Sequence, residues 1–410
     1  MSDLRPRSGR SATDPSKTLA RHGQLPRSRA WATILSIVGA ALAVVLVSTA
    51  AVAGVVVNSL TSKIDSIVIN PSDAPLPQIG AIEGGFNILI VGSDTRLGQN
   101  GIGGDFEDDE GTLNDVNILL HVSQDQTNAV AVSIPRDMVV GIPECTDDDG
   151  YTKPYSTEPI NTALSYGGLP CAVQTVSELT GLPIQFAGMI TFTGVIAMAD
   201  AIGGVPVCFT GAIDDPNTGL VIPQAGTYDL TGIDALAFLR SRAGVGDGSD
   251  LTRISSQQVY LSSLVRKLQS EGTLSDPTKI YNLASAALSN MQLSSTLGNI
   301  PTMTSIALAL KDIPVDSITF VQYPGSTGGS GVYEGKVQPN EEAAAQLMAY
   351  IAADQPFVLS DTENGGSTAD PNAPAPDPSA PPADTSGLPV LEGVHGQPAS
   401  EYTCSVAYDF

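Results

Sequence analysis

The sequence predicts an α/β protein. A layered α-β-α domain with a central mixed sheet is expected, preceded by one N-terminal transmembrane helix. Three observations carry this. Short apolar runs bounded by Gly, Pro and Asp alternate with stretches of helical periodicity, the pattern of a sheet covered by helices. Hydrophobic residues make up 42% of a 410-residue chain, enough for a substantial core. One long uncharged run lies near the N-terminus.

That run, AWATILSIVGAALAVVLVSTAAVAGVVV (30–57), is longer than the roughly 20 residues that cross a bilayer as a helix. It also exceeds the roughly 7–15 apolar residues of a signal peptide. Residues 1–29 before it carry Arg5, Arg7, Arg10, Lys17, Arg21, Arg27 and Arg29 against Asp3 and Asp14. Positive charge marks the cytoplasmic side, so the tail is expected inside the cell membrane and the rest of this single-pass protein outside it. Residues 58–84 read as a turn-rich stalk and 85–355 as the catalytic domain. Residues 356–410, rich in Pro, Ala and Asp, read as a mostly disordered tail whose end, 390–410, returns to the domain.

Within the domain, 86–94, 116–123 and 129–136 read as buried strands. Residues 160–180 turn helical after a Gly-Gly-Leu-Pro turn. Residues 186–209 read strand, helix, Gly-Gly turn, strand. Helices are expected at 231–241, with Thr231 as N-cap, and at 254–268, 277–292 and 302–311, followed by a strand within 317–325.

Charge excludes one partner class. Beyond residue 58 the chain holds 12 basic residues, the 19 less the tail's seven, against 41 acidic ones, so no nucleic acid is expected. No GxxxxGK[ST] loop, GxSxG elbow or HExxH occurs, and only His121 and His395 lie beyond the apolar run, which argues against a Ser-His-Asp hydrolase. His121 reads as a structural strand residue. The cysteines, Cys145, Cys171, Cys208 and Cys404, all fall in the outer part, where disulfides persist. Cys145 and Cys171 flank one insertion and are the first pairing to expect, with Cys208–Cys404 then following, among three possible connectivities.

The arginines are more informative. Arg96 and Arg136 follow strands, Arg240 and Arg242 end a helix, and Arg253 begins the next after the loop AGVGDGSD. In a sheet-centred domain such ends gather at one edge, where ligands bind. Guanidinium groups grip phosphate through paired hydrogen bonds. Salt bridges to the surplus carboxylates would use the same residues. Asp94 ends one strand and Asp115 begins the next. Two such aspartates with a pyrophosphate suit Mg²⁺, and each could equally cap a turn. The acidic runs 103–111 and 147–149 lack EF-hand spacing and read as solvated loops.

Five ordered motifs, NILIVGSDTR (87–96), LNDVNILLHVS (113–123), AVAVSIPRDMVV (129–140), INTALSYGG (160–168) and LRSRAGVGDGSDLTRISSQQ (239–258), resemble the LytR-CpsA-Psr family in its actinobacterial form. The resemblance implies a phosphotransferase. It would move a wall glycopolymer from a polyprenyl-pyrophosphate carrier onto a peptidoglycan hydroxyl as a phosphodiester. It further implies Asp94 and Asp115 as ligands of Mg²⁺. Arg96, Arg136, Arg240, Arg242 and Arg253 match pyrophosphate-binding arginines, Asp250 and Gln257 match polar catalytic positions, and Asn161 matches a substrate-binding asparagine. Either Asp115 or Asp250 is the expected proton acceptor. Residues 194–202 and 259–268 offer an apolar slot for the lipid as well as ordinary core. Two places depart from the pattern: Leu113 and Asn114 (LNDV) stand where an RSDT-like motif carries an arginine before the second aspartate, and Ser256 stands where RIxRQQ carries one. Arabinogalactan is the polymer suggested by the actinobacterial character. Hydrolysis of the carrier pyrophosphate and non-catalytic polymer binding are the competing readings.

Overall fold

The computed structural model describes residues 66–69, 84–95, 112–270, 277–298, 300–361, 365–374 and 387–408. Arg96, the basic tail and the 30–57 run lie outside these. Among the described residues no helix is long and apolar enough to cross a membrane.

The strands that matter are β1 (Ser66–Ile67), β2 (Phe86–Ser93), β3 (Asn114–Val122), β4 (Ala129–Ile134), β5 (Phe186–Ile190), β6 (Val205–Phe209), β7 (Gly226–Leu230), β8 (Met291–Ser294), β9 (Ile318–Gln322), β10 (Val358–Asp361), β11 (Ser367–Ala369), β12 (Val390–Pro398) and β13 (Thr403–Ser405). The helices are α1 (Ala163–Thr180), α2 (Phe192–Ala201), α3 (Gly232–Arg240), α4 (Asp250–Ser270), α5 (Pro277–Asn290), α6 (Ile300–Asp312) and α7 (Glu341–Ala352).

A nine-stranded mixed sheet runs β1-β8-β5-β2-β3-β4-β9-β12-β10. β3 is antiparallel to both β2 and β4, whereas β5 joins β2, and β9 joins β4, in parallel. Alternation decides the layers. Leu89 and Val91 of β2 and Val130 and Val132 of β4 face one way, onto α1 and α7. Ile88, Ala129 and Ala131 face the other way, onto α6 and the Leu261–Val265 stripe of α4. The expected α-β-α layering is therefore present, because strands buried on both faces read as continuous apolar runs. His121 donates or accepts with Asn87 (2.8 Å) and Asp354 (2.9 Å), the structural role expected of it.

A second core joins α2, α3 and one side of α4 to β6 and β7 through Phe209, Phe238, Val259 and Tyr260. Ala199 and Ile202 of α2 belong to it, so these members of the candidate lipid slot are packed core. Gly167 (φ −173°, ψ 28°) and Gly168 (φ 63°) kink the start of α1, which accounts for the Gly-Gly turn read in the sequence.

The tail needs correction. Within the stretch expected to be disordered, β10 joins the main sheet and β11 a smaller sheet, β7-β6-β13-β11, whereas β12 and β13 are the expected return of residues 390–410 to the domain; residues 362–364 and 375–386 lie outside the described ones. Composition over 361–389 hid this, because the apolar anchors Leu391 and Val394 sit beyond it and only a long-range pairing orders the segment. Disulfides join Cys145 to Cys171 and Cys208 to Cys404. The second lies across the β6–β13 register, which pairs the same two residues.

Candidate functional site

The C-terminal ends of β2 and β4 and the N-terminal end of β3 meet at one edge of the sheet, since β3 runs opposite to its neighbours. Asp94 follows β2, and its Oδ1 accepts a hydrogen bond from the Leu113 amide (2.8 Å). The β2–β3 register passes from Gly92↔Val116 to Ser93↔Asn114, which leaves Asp115 as the extra residue of a bulge. Bulges re-aim side chains and free backbone groups from the ladder. Here the Asp115 carboxylate receives Arg136 Nη1, and its carbonyl accepts from Arg253 Nη2 at 3.1 Å.

Asp250, at the first turn of α4, is the centre of the cluster. Its Oδ1 lies 2.6 Å from Arg253 Nη2, 3.2 Å from Arg242 Nη2 and 3.8 Å from Arg136 Nε. Asp137 adds a second anion, 3.6 Å from Arg136 Nε, 4.0 Å from Arg242 Nη2 and 3.4 Å from Lys336 Nζ. Asp250 and Arg253 have side chains 7% and 6% exposed, so their charges are largely removed from water. Burial opposes ionisation of Arg136, but Asp115, Asp137 and Asp250 outweigh it and hold its guanidinium above the ordinary value. Burial pulls Arg253 the other way, opposed by Asp250 and reinforced by the repulsion of Arg242.

Among the described residues, Asp250 Oδ2, Arg136 Nε and Arg253 Nε are buried without a hydrogen-bond partner, and so is Ser133 Oγ nearby. Orphaned polar atoms of this kind are rare in native proteins. They gather two guanidinium donors, a hydroxyl and a carboxylate oxygen at one end of the sheet. Asp115, Ser133, Arg136, Arg253 and Gln257 line a crevice of about 10 Å³ there.

The loop between α3 and α4 sets this geometry. Gly246 has φ +55°, and a Cβ on it would come within 2.5 Å of Thr252, so the turn requires glycine. Asp247 accepts from the Ser249 amide and the Thr252 hydroxyl, both at 2.8 Å, which ties the loop to the start of α4. Those hydrogen bonds, Ser249 first, hold the Asp247 carboxyl below its ordinary value. The C-terminal segment supports the same loop: Gly246 donates to the Val406 carbonyl (2.8 Å), and Tyr408 to that of Gly244 (3.1 Å).

Of the expected site residues, Asp115, Arg136, Arg242, Asp250 and Arg253 come together. Arg240 instead stacks over the Phe192 ring at 4.3 Å. Gln257 donates to the Leu239 carbonyl (2.9 Å), linking α4 to the end of α3. Asn161 reaches the site through its backbone, donating to the Arg136 carbonyl (3.2 Å). Two contributors were not expected. Asp137 stands in SIPRD itself, so a signal was present; Lys336 is 199 residues away in sequence and carries none. The departing residues are structural. Asn114, wholly buried, donates to Asn117 (2.6 Å) and the Ile160 carbonyl (3.1 Å), and accepts from the Leu164 amide. Ser256 faces Ser405 of β13 at 3.0 Å.

For a divalent cation, Asp94 and Asp115 offer hard oxygen donors on adjacent strands. Among the described residues neither belongs to a group of three metal-binding side chains. A carboxylate pair without a full protein cage suits Mg²⁺, which takes one or two carboxylates beside phosphate oxygens and water.

The sequence profile of the LytR_cpsA_psr family matches residues 52–349. The chain is 31% identical over 289 residues to the cell wall biosynthesis protein LcpA of Corynebacterium glutamicum, covering 62% of this chain and 52% of that protein. It is 28% identical over 269 residues to the polyisoprenyl-teichoic acid–peptidoglycan teichoic acid transferase TagT of Bacillus subtilis, covering 64% and 76%. The solved LytR-Csp2A-Psr enzyme from Actinomyces oris superposes with a TM-score of 0.50 at 22% identity, over 69% of this chain and 96% of that one, a likeness of fold. The chain spans about half the length of LcpA.

Proposed function

This chain belongs to the LytR-CpsA-Psr family, and from that premise we propose that it is a membrane-anchored phosphotransferase acting outside the cell membrane. Its donor is a glycopolymer on a polyprenyl-pyrophosphate carrier, with arabinogalactan as the candidate polymer. Its acceptor is a hydroxyl of peptidoglycan. The observation that carries the reading is the set of buried, unpartnered polar atoms on Arg136, Arg253 and Asp250 at one sheet edge.

Arg136, Arg242 and Arg253 bind the pyrophosphate. A guanidinium has five N–H donors, so each can keep a carboxylate partner while engaging phosphate oxygens. The acceptor oxygen forms a bond to the sugar-bearing phosphorus. The bond from that phosphorus to the bridging oxygen breaks, and polyprenyl phosphate leaves. The acceptor proton passes to a carboxylate, Asp115 or Asp250; both hold arginines, and Asp250 keeps one oxygen, Oδ2, without a hydrogen-bond partner. The arginines absorb the charge that develops on the leaving group. Asp94 and Asp115 would hold Mg²⁺, which supplies further neutralisation of the pyrophosphate charge. Half-buried Val195, Ile196 and Met198 of α2 leave apolar surface for the lipid.

The test is purified full-length protein with a lipid-linked pyrophosphoryl glycan and peptidoglycan. Covalent transfer of glycan is expected, abolished by Arg136→Ala. Release of polyprenyl phosphate with phosphorylated glycan left free in solution would establish the hydrolase reading instead.

A further inference from the structure

One feature of the domain is left unused by the anion site. Strands Val139–Ile142 and Ser156–Pro159 pair antiparallel, and Cys145–Thr146 with Thr152–Lys153 continue in the same register. They form one hairpin, interrupted at Pro143 and Pro154, which cannot extend a ladder. Its root is the anion site: Val139 follows Arg136 and Asp137, Ile160 donates to the Met138 carbonyl (2.8 Å), and Asn161 donates to that of Arg136. Seven steps from Val139 to Thr146 at ~3.4 Å each carry it about 24 Å outward, the reach of several sugar rings. The Cys145–Cys171 disulfide fixes it to α1.

We propose that this hairpin is a carbohydrate-binding arm for a neutral saccharide leading to the site; the proposal rests on the transferase reading and names its substrate class. Two tyrosines on the arm, Tyr151 and Tyr155, are 67% and 65% exposed and leave their rings open to a ligand. Tyr155 is exposed yet placed: its hydroxyl lies over Gly141, where any Cβ would come within 2.4 Å of it, so glycine there seats the ring on the outer face. A fixed amphipathic ring with one wet face suits a sugar, which offers C–H groups to the ring and hydroxyls to its surroundings. At the tip, the hairpin and α1 enclose a cleft of about 530 Å³, within the usual size of ligand sites. Glu144, Gln174, Ser177 and Glu178 line it with hydrogen-bonding groups, and no Lys, Arg or His contributes.

Charge selects the ligand. Asp147, Asp148 and Asp149 form the turn of the arm, with Glu144 near them and Glu158 closer to the root, opposite Val140; Lys153 is the arm's one cation, and it sits 3.1 Å over the Tyr166 ring. A phosphate-rich polymer would be repelled along the whole path, whereas an uncharged one would not. The positive groups are confined to the root, where the pyrophosphate belongs.

The test is calorimetric titration of full-length protein in detergent with a neutral arabinogalactan oligosaccharide and, separately, with poly(glycerol phosphate). The wild type is expected to bind the neutral oligosaccharide and not the polyanion. Y151A/Y155A should weaken neutral binding by about tenfold, while Tyr155→Phe, which keeps the ring, retains it. Gln174→Trp, which narrows the cleft, should weaken it as well. The triple variant D147N/D148N/D149N should gain binding to the polyanion. Unchanged neutral binding in Y151A/Y155A, or wild-type preference for the polyanion, overturns the proposal. Because binding is read without chemistry, failure of the arm and failure of the transferase reading are seen separately: the first in the titration, the second in the transfer assay.

Discussion

Asp250 holds Arg242 and Arg253 through one oxygen and leaves the other buried and unpartnered. Removing it would strand two or three guanidinium groups in a low-dielectric corner. Asp250→Ala is therefore expected to lower stability by about 3–5 kcal/mol, measured by urea unfolding. A change below ~1 kcal/mol would mean that water already solvates the cluster. Arg253 has a different role, since one guanidinium spans Asp250 and the Asp115 carbonyl. Both contacts come from Nη2, so a lysine can keep them, but it lacks the further planar N–H donors that would grip a phosphate. Arg253→Lys should leave the protein folded and reduce transfer by ~10²-fold or more, read from initial rates. Asn114 belongs to the Leu113-Asn114 step where the family pattern carries an arginine, and all its hydrogen bonds are internal. Asn114→Leu should thus cost about 1–3 kcal/mol in thermal unfolding, by orphaning the Ile160 carbonyl and Leu164 amide. Its effect on activity should follow the loss of folded protein.

At the level of elements, the bulge in β3, the kinked start of α1 and the glycine loop before α4 place the chemistry. The strands, the helices and the convergence of the arginine-bearing ends at Arg136, Arg242 and Arg253 were legible because apolar period, Gly-Gly turns and motif spacing are local signals. Asp137 was legible too, inside a motif already marked. Three things were not. Arg240 sits two residues from Arg242, at the last position of α3, and only the packing of Phe192 decides that it stacks away from the cluster. Lys336 joins through a pairing 199 residues distant. Strands β10 and β11 join the sheets although the composition around them resembles a linker, because their order comes from pairing with β12 and β13. Ser256 shows how the tail and the site are coupled. It is 1% exposed and meets Ser405. Ser256→Arg, which restores the family pattern, would bury a charge against β13. Limited proteolysis should then cut the C-terminal segment far faster than in the wild type. Equal resistance would show that the strand is not held there.

For the whole molecule, two disulfides close loops of very different span, with separations of 26 and 196 residues. Chain entropy alone assigns about 3.5 kcal/mol to the shorter loop and about 5 kcal/mol to the longer. Cys208→Ser with Cys404→Ser should therefore lower the unfolding midpoint more than Cys145→Ser with Cys171→Ser; the reverse order would show that local packing outweighs loop closure. The formal charge of −24 makes the same point from electrostatics. An acidic surface around one buried group of guanidinium ions admits an anion only where the carbon chain or sugar that carries it is accepted. The central claim is that Arg136, Arg242 and Arg253 form a pyrophosphate site. It is tested most directly by titrating full-length protein with a short-chain isoprenyl pyrophosphate and comparing wild type with Arg136→Ala and Arg242→Ala. Each variant is predicted to weaken binding by about tenfold or more. Affinity unchanged in both variants would contradict the account.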